Sequence, residues 1–413
     1  MTKQGLNFNQ RILSNGLTVI GEENGSAKSA AVGFFVRTGS RDENKQINGV
    51  SHFLEHMVFK GTEKLSPFEV NERFDKTGAQ YNAFTSEENT VFWAAILPEY
   101  LVEVTRLWIE MMRPALRDED FNIEKHVIKE EIAMYKDMPN YDVMDRCRSL
   151  YFGEHPCGNS VLGSEESIEN MTAQQMRGYF SNRYAPNNIV AAFAGNFKWE
   201  EICAVAEDGC GGWEEKKTDR RISDTRGSGK KDKFEKPNVS CEHICLISPA
   251  VAAQDERRFA ASLLGDIVGD DFGSRFFWEL VDKALSETAA MQYSPMDGTG
   301  TFYSYIRCSS DNAGKVLDIV GRIFAELAKD GVTESELSKA KNKVLSALVI
   351  KNELPMGRLV DLGSNWIYLR QYRSIEQDVA AVKAVTVKDI NSLINEFDLR
   401  GFTQYTIGPA KQG

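Results

Sequence analysis

Apolar and polar positions recur along this chain with two periods, and the change from one to the other marks its elements. Arg11-Ile12-Leu13 and Leu17-Thr18-Val19-Ile20 flank Asn15-Gly16, so residues 6–20 predict a hairpin. Ala30 to Thr38 is an apolar strand that ends in the polar loop Gly39 to Glu43. Ser51 to Lys60 reads as a helix stopped at Gly61-Thr62. Ser66 to Thr77 is a second helix, with Ser66 as N-cap, Pro67 at the first position and Glu69 closing a capping box. Gln80 to Thr85 and Thr90 to Leu97 are extended runs joined by a turn. Leu101, Val104, Leu107 and Trp108 fall at helical spacing until Pro114, and another helix runs from about Asp118 to Lys136. Helix, loop, a helix from Thr172 to Asn182, and a buried strand from Ile189 to Asn196 follow.

The pattern then lapses. Residues 214–237 are polar and charged, and read as an interdomain linker. The expected division is a domain at 1–213, the linker, and a domain at 238–413. The second half looks like a copy of the first. Leu101 to Met112 and Val316 to Leu327 are apolar helices, each followed by a turn and a further helix. Aligning Phe121 with Leu337 sets Ala340 opposite Glu124 and Ala347 opposite Glu131. The fold class expected is α+β: two homologous domains, each a mainly antiparallel sheet with helices packed on it, related by internal duplication.

At 413 residues, 42% hydrophobic and 26% charged, the chain is of globular composition and too long for one ordinary core. The net charge is -11, and no Lys/Arg stripe is interleaved with aromatics, so nucleic acid is not an expected partner. No apolar run approaches a membrane span, and the first residues show no signal-peptide core. The seven Cys are irregularly spaced without a C-x-x-C, as expected of reduced thiols. Cytoplasmic location and no membrane partner are the corresponding expectations.

The chemistry lies in Ser51 to Lys60. His52, Glu55 and His56 stand at i, i+3 and i+4, so on a helix all three leave one face. Two imidazoles one turn apart grip one cation from the same side, and the carboxylate between them reaches a water on it. An ordinary solvated face is the competing reading. Against it, the chain has five His in all, and the flanks Val50, Phe53, Leu54, Met57, Val58 and Phe59 are apolar. A zinc site of this type needs a third protein ligand. Glu131, with 74 residues between it and His56, is the best placed candidate. Glu124 lies seven residues before it on nearly the same helix face, about 10 Å away along the axis. Taken alone, the two glutamates would be solvated charge.

H-x-x-E-H followed after this interval by Glu-x6-Glu resembles the pattern of the pitrilysin-like (M16) metallopeptidases. Leu13 to Leu17, Gly39 to Glu43, Asn82 to Ser86, Glu124 to Ile132 and Tyr184 to Val190 also look like segments of that family. The resemblance is strong over the first half and looser over the second. It implies a zinc-dependent endopeptidase acting on peptides or unfolded polypeptides, with His52, His56 and Glu131 holding zinc. It implies Glu55 as general base toward the water, Glu124 as a supporting acid, and Asn82-Ala83-Phe84 as the edge strand that receives substrate. The family usually carries an Arg and a Tyr in the second half. Val281 occupies the expected Arg position here, and Tyr293 is the candidate Tyr. A homodimer, or a heterodimer with an Arg- and Tyr-bearing homologue, enclosing a chamber, is therefore expected. The alternative is a non-catalytic peptide-binding or scaffold subunit.

Overall fold

In the computed structural model, which describes residues 6–410, the alternating segments become two sheets. The first contains β1 (Asn7–Ile12), β2 (Thr18–Glu23), β3 (Ala30–Val36), β4 (Gln80–Thr85), β5 (Thr90–Ile96) and β6 (Ile189–Gly195), in the order β1-β2-β6-β3-β5-β4. Only β2 and β6 pair in parallel. The uninterrupted apolar run of β3 follows from its central position, because both of its faces are covered. Ala30, Val32, Phe34 and Val36 enter one core, and Ala31 and Phe35 enter another.

The larger core is closed by α1 (Val50–Val58), α2 (Pro67–Thr77), α3 (Leu101–Met111) and the first part of α4 (Asp118–Asp137). Residues of α6 (Glu165–Asn170), α7 (Ala173–Arg183) and α8 (Trp199–Cys210) join them. The capping boxes at Ser66 and Thr172 form as their sequences predict.

The other face of this sheet is covered from the far end of the chain. Leu359, Leu362, Trp366 and Ile367 of α12 (Pro355–Leu369) pack on Ile20, Ala31, Phe35, Val91 and Val190. Arg358 of the same helix forks onto Glu22 of β2, with Nε and Nη2 at 2.8 and 2.7 Å from its two carboxylate oxygens. Both side chains are almost fully buried.

The second sheet contains β7 (Lys231–Lys236), β8 (Glu242–Ala250), β9 (Thr288–Met296), β10 (Thr299–Cys308) and β11 (Thr403–Pro409), in the order β7-β11-β8-β10-β9. It is antiparallel except for β7 on β11. One face carries α9 (Arg258–Gly269), α10 (Ala313–Asp330), the start of α11 (Glu334–Asn352) and α14 (Val387–Glu396), with Val382 of α13 (Ile375–Ala384). The other face is covered by α5 (Pro139–Phe152), whose Val143, Cys147, Tyr151 and Phe152 meet Cys245, Ile247, Tyr405 and Ile407. All seven cysteines are unpaired, and six of them are buried.

Two expectations change. The compact units do not follow one cut in the sequence. One comprises residues up to Ile132 with Asn159–Arg221 and Val349–Ser374; the other comprises Ala133–Gly158, Ile222–Leu348 and residues from Ile375 onward. The cause is the exchange of α5 and α12, each of which covers the sheet of the opposite half. The charged stretch 214–237 is also more than a linker. Lys231–Lys236 is a strand on β11, and Arg220 is buried with Nε and Nη2 at 3.0 and 2.7 Å from the Asp42 carboxylate. Arg183 shares the same carboxylate at 2.6 Å. At Arg220 the charge is paired and buried, while most of the remaining stretch stays exposed. Among the described residues no helix is long and apolar enough to cross a membrane.

Removing one member of a buried pair strands the other charge, at a cost of about 3–5 kcal/mol. Arg358→Met is therefore expected to destabilise the first unit by about that amount in urea unfolding. Adding Glu22→Gln should restore part of the loss in a double-mutant cycle, because the stranded carboxylate is then gone.

Candidate metal centre

The helix that carries the H-x-x-E-H stretch is fixed at its start. Gly49 caps α1 with φ of 92°, and a Cβ there would lie 2.6 Å from the Leu162 carbonyl oxygen. Glu43 takes the place of a capping side chain. Its two oxygens accept from the backbone N–H groups of Gly49 and Ser51 at 2.7 Å each, and from Asn48 Nδ2 at 2.9 Å. Ser51 Oγ lies 2.9 Å from the Tyr179 hydroxyl, which ties α1 to α7. On the opposite side Phe53 stacks on Phe121 of α4, with centroids 4.8 Å apart. That contact sets α4 beside α1.

From these supports the chemical groups converge. One ligand atom from each of His52, His56 and Glu131 lies within 4.8 Å of the others. Glu131 Oε2 is 3.7 Å from His52 Nε2 and 3.5 Å from His56 Nε2. These separations are long for hydrogen bonds. They match donors that share a tetrahedral cation, since two ligands at about 2.1 Å from a zinc stand roughly 3.4 Å apart. His56 Nδ1 lies 2.8 Å from Glu124 Oε1, so this nitrogen carries the proton and donates it, leaving Nε2 with its lone pair. Glu124 is in turn paired with Lys60 Nζ at 2.5 Å. His52 Nδ1 is buried without a hydrogen-bond partner among the described residues. Packing rather than a bond therefore orients that ring. The donor set of two imidazoles and one carboxylate suits a zinc ion, and the residues present fit one.

Electrostatics sort the groups further. Burial, reinforced by His56, lowers His52 to about 3 and keeps it neutral, as a ligand must be. Burial also acts to lower His56, but the hydrogen bond to Glu124 and the charges of Glu131, Glu124 and Glu55 outweigh it and raise its pKa. Glu131 is raised by burial and by Glu124. Glu55 is raised by burial and by Glu131, against the opposing hydrogen bond from Thr85 Oγ1 to its Oε2 at 2.6 Å. Burial works to raise Glu124 as well, yet its bonds to His56 and Lys60 prevail and hold it low.

The remaining site candidates are placed as follows. Asn82, Ala83 and Phe84 lie on β4, whose outer side is an edge of the first sheet. Tyr81, Ala83 and Thr85 share the side that meets α1: the Tyr81 ring is 6.3 Å from Phe59, and Thr85 binds Glu55. Phe84 alternates to the opposite face, pairing with Val91, so the helix and its imidazoles are not on its side. Asn82 Oδ1 accepts from Ala83 N at 2.8 Å. Tyr293 belongs to the second unit, where its hydroxyl donates to the Val251 carbonyl at 2.9 Å. Val281 packs against that unit's core. Glu43, Lys60 and Thr85 escaped the sequence reading. Lys60 and Thr85 lay inside stretches already singled out, but nothing local signals their partners. An acid in the loop ahead of the helix was the available sign for Glu43.

Comparison with known proteins identifies relatives of the chain as a whole. A model of Insulinase (Peptidase family M16) matches residues 18–165, and one of the Peptidase M16 inactive domain matches residues 170–344. A Bacillus subtilis protein described as the uncharacterized zinc protease YmxG is 29% identical over 409 residues, covering 96% of this chain and 97% of that one. A Mycobacterium leprae protein, also described as an uncharacterized zinc protease, is 29% identical over 96% of this chain and 91% of its own length. A Helicobacter pylori protease of known structure superposes with a TM-score of 0.90 at 21% identity, over 98% of this chain and 100% of that one. The chain belongs to the M16 peptidase family.

Two outcomes follow from the geometry. After dialysis against zinc, Glu131→Ala is expected to hold far less than the roughly one zinc per chain expected of the unaltered protein, by elemental analysis. Glu124→Gln should keep that stoichiometry with about 10- to 100-fold weaker affinity, because it orients His56 without being a ligand. The second outcome concerns Glu43. Burial pushes its carboxyl up to about 7 against its three donors. The native state then keeps a proton that the unfolded chain releases near 4.5. Stability from this group is complete below about pH 4.5 and is lost as pH rises through 7, on the order of 3 kcal/mol. Urea midpoints across that window should show the slope, and Glu43→Gln should flatten it.

Proposed function

We propose that this chain is a zinc-dependent endopeptidase acting on peptides or unfolded segments, with Glu55 as general base. The observation that carries the reading is the convergence of His52, His56 and Glu131, with Glu55 on the same helix. A zinc ion at these ligands supplies Lewis acidity, which polarises the scissile carbonyl and acidifies water. The protein's own groups do the rest. Thr85 Oγ1 holds Glu55 Oε2, which leaves Oε1 to take the proton of the attacking water and deliver it to the leaving amine. Burial raises the pKa of Glu55, which makes it a stronger base toward the water than an ordinary exposed carboxylate. Glu124 keeps the proton of His56 on Nδ1. The open edge of β4 offers backbone groups for an extended substrate to pair with, by strand addition. The cost of entry is small, because the Asn82 side chain that occupies the Ala83 N–H has only to turn aside.

Val281 offers no charge where the family resemblance expects Arg, and the hydroxyl of Tyr293 is already engaged. A second chain is proposed to enclose a shared chamber: an Arg- and Tyr-bearing homologue would supply that grip, whereas a copy of this chain would leave it altered.

Glu55→Gln is expected to retain zinc and lose about 10²- to 10⁴-fold in the rate of cleavage of a fluorogenic peptide. The unaltered chain should gain activity when the homologue is added. Metal-loaded protein that stays inert with the homologue present would assign the chain to the non-catalytic subunits instead.

A further inference from the structure

The second unit has a cleft for which the proposed reaction has no use. It lies between α9, the turn at Gly273 to Trp278, and α11, with a volume of about 210 Å³. The two units repeat one order of elements: β3, α1, β4, β5, α3 and α4 in the first correspond to β8, α9, β9, β10, α10 and α11 in the second. The space between α9 and α11 therefore occupies the place where the first unit gathers its imidazoles and carboxylates. Ala340, opposite Glu124 in the internal alignment, lines it and leaves the volume that a longer side chain would fill.

Among the described residues, Arg275, Glu336 and Lys343 around this cleft are paired, and Lys339 and Asp266 are not. Arg275 forks onto Glu336 at 2.8 and 3.1 Å. Lys343 is held by the Asp270 carboxylate and the Phe272 carbonyl. Lys339 is exposed to solvent. Asp266 of α9 remains, half-buried, with no hydrogen bond or ion pair to its carboxylate among the described residues. Burial and the nearby Asp270 push its carboxyl up to about 6, even with Lys343 opposing, so a further positive group would be welcome there.

One aromatic ring, Trp278, lines the cleft with Asp266, and two further rings continue from it. Trp278 is 54% exposed and Phe272 73% exposed. Phe277 links them, with ring centroids 5.7 Å from Phe272 and 4.9 Å from Trp278. Three rings in mutual contact beside a cleft make a contiguous apolar surface, the kind that marks an interaction site. An unpaired carboxylate and an exposed indole on one small cleft are the two parts that receive a cation on an alkyl stem: the carboxylate by charge, the ring by its negative face and its apolar area.

We propose that this cleft binds a basic side chain, lysine or arginine, of a polypeptide, through Asp266 and Trp278. The site goes beyond the peptidase reading and does not depend on it, since it lies wholly in the second unit and involves no hydrolysis.

The test is an NMR titration of the full chain with N-acetyl-arginine N-methylamide and with its norleucine counterpart. Neither probe offers an internal peptide of the kind an endopeptidase needs. The arginine compound is expected to bind at least about tenfold more tightly, as an ion pair formed in a partly desolvated cleft allows. Asp266→Asn, which keeps the shape, should abolish that preference, and Trp278→Ala should weaken arginine binding about threefold or more. Lys339→Glu, at an exposed position that any stable fold tolerates, should raise the preference about twofold or more. Equal binding of the two probes, or a preference that survives Asp266→Asn, overturns the proposal. If Asp266→Asn does not fold, an unchanged preference in Lys339→Glu overturns it in the same way.

Discussion

The contact between α1 and α4 is the constraint on which the first unit's chemistry rests. It is an apolar contact before it is a chemical one: Phe53 on Phe121 sets the spacing, and Ile128 and Ile132 fill the space behind it. Once that spacing is set, the helix period places Glu124 and Glu131 along one line facing the two imidazoles. What results is rich in negative charge. Glu55, Glu124 and Glu131 surround two His, and Lys60 balances only Glu124. The raised pKa values of Glu55 and Glu131 register burial first and this crowding second. A divalent cation between the imidazoles and Glu131 relieves the crowding, so the electrostatics and the distances favour the same occupant.

The duplication explains why the chain is built as two sheets, but not why each compact unit draws on both halves of the sequence. That follows from apolar coverage. The sheet strands β3 and β8 are buried on both faces, and in each unit the helices of the same half cover only one. α5 and α12 follow α4 and α11 at corresponding places in the two halves, and each supplies the missing layer to the opposite sheet. Arg358 and Glu22 add a bidentate bond to one of these contacts. The pair gives orientation rather than much net stability, because both charges lost their water in making it.

Periodicity and capping made most of the elements legible. The hairpin at Asn15-Gly16, the capped helix after Ser66, the strands on either side of Ser86 and the long helices all lie close to where local pattern put them. So did the face shared by His52, Glu55 and His56, because that is a statement about one helical turn. What escaped depends on partners far away in sequence. Arg220 fell in a stretch that read as a linker, because Asp42, with which it pairs, lies 178 residues earlier. Lys231–Lys236 carries no strand pattern of its own and is a strand because β11 offers it an edge. The exchange of α5 and α12 is invisible for the same reason: an amphipathic helix announces that it will be covered, not by what.

The two glutamates of α4 show how the geometry divides labour that the residue type does not. Each is a carboxylate seven positions from the other, and composition alone does not choose the third ligand between them. An imidazole presents its two nitrogens in different directions, so the carboxylate that meets Nδ1 of His56 cannot also meet Nε2. Glu124 takes the former, with Lys60 behind it, and becomes a fixed acceptor. Glu131 is left facing Nε2 of both rings at separations suited to a shared ion. In the second unit Ala340 and Ala347 stand at these positions, so neither role can be filled there. Loss of the carboxylates frees that copy from the burden of holding three acids together, and the same crevice is then open to recognition rather than reaction.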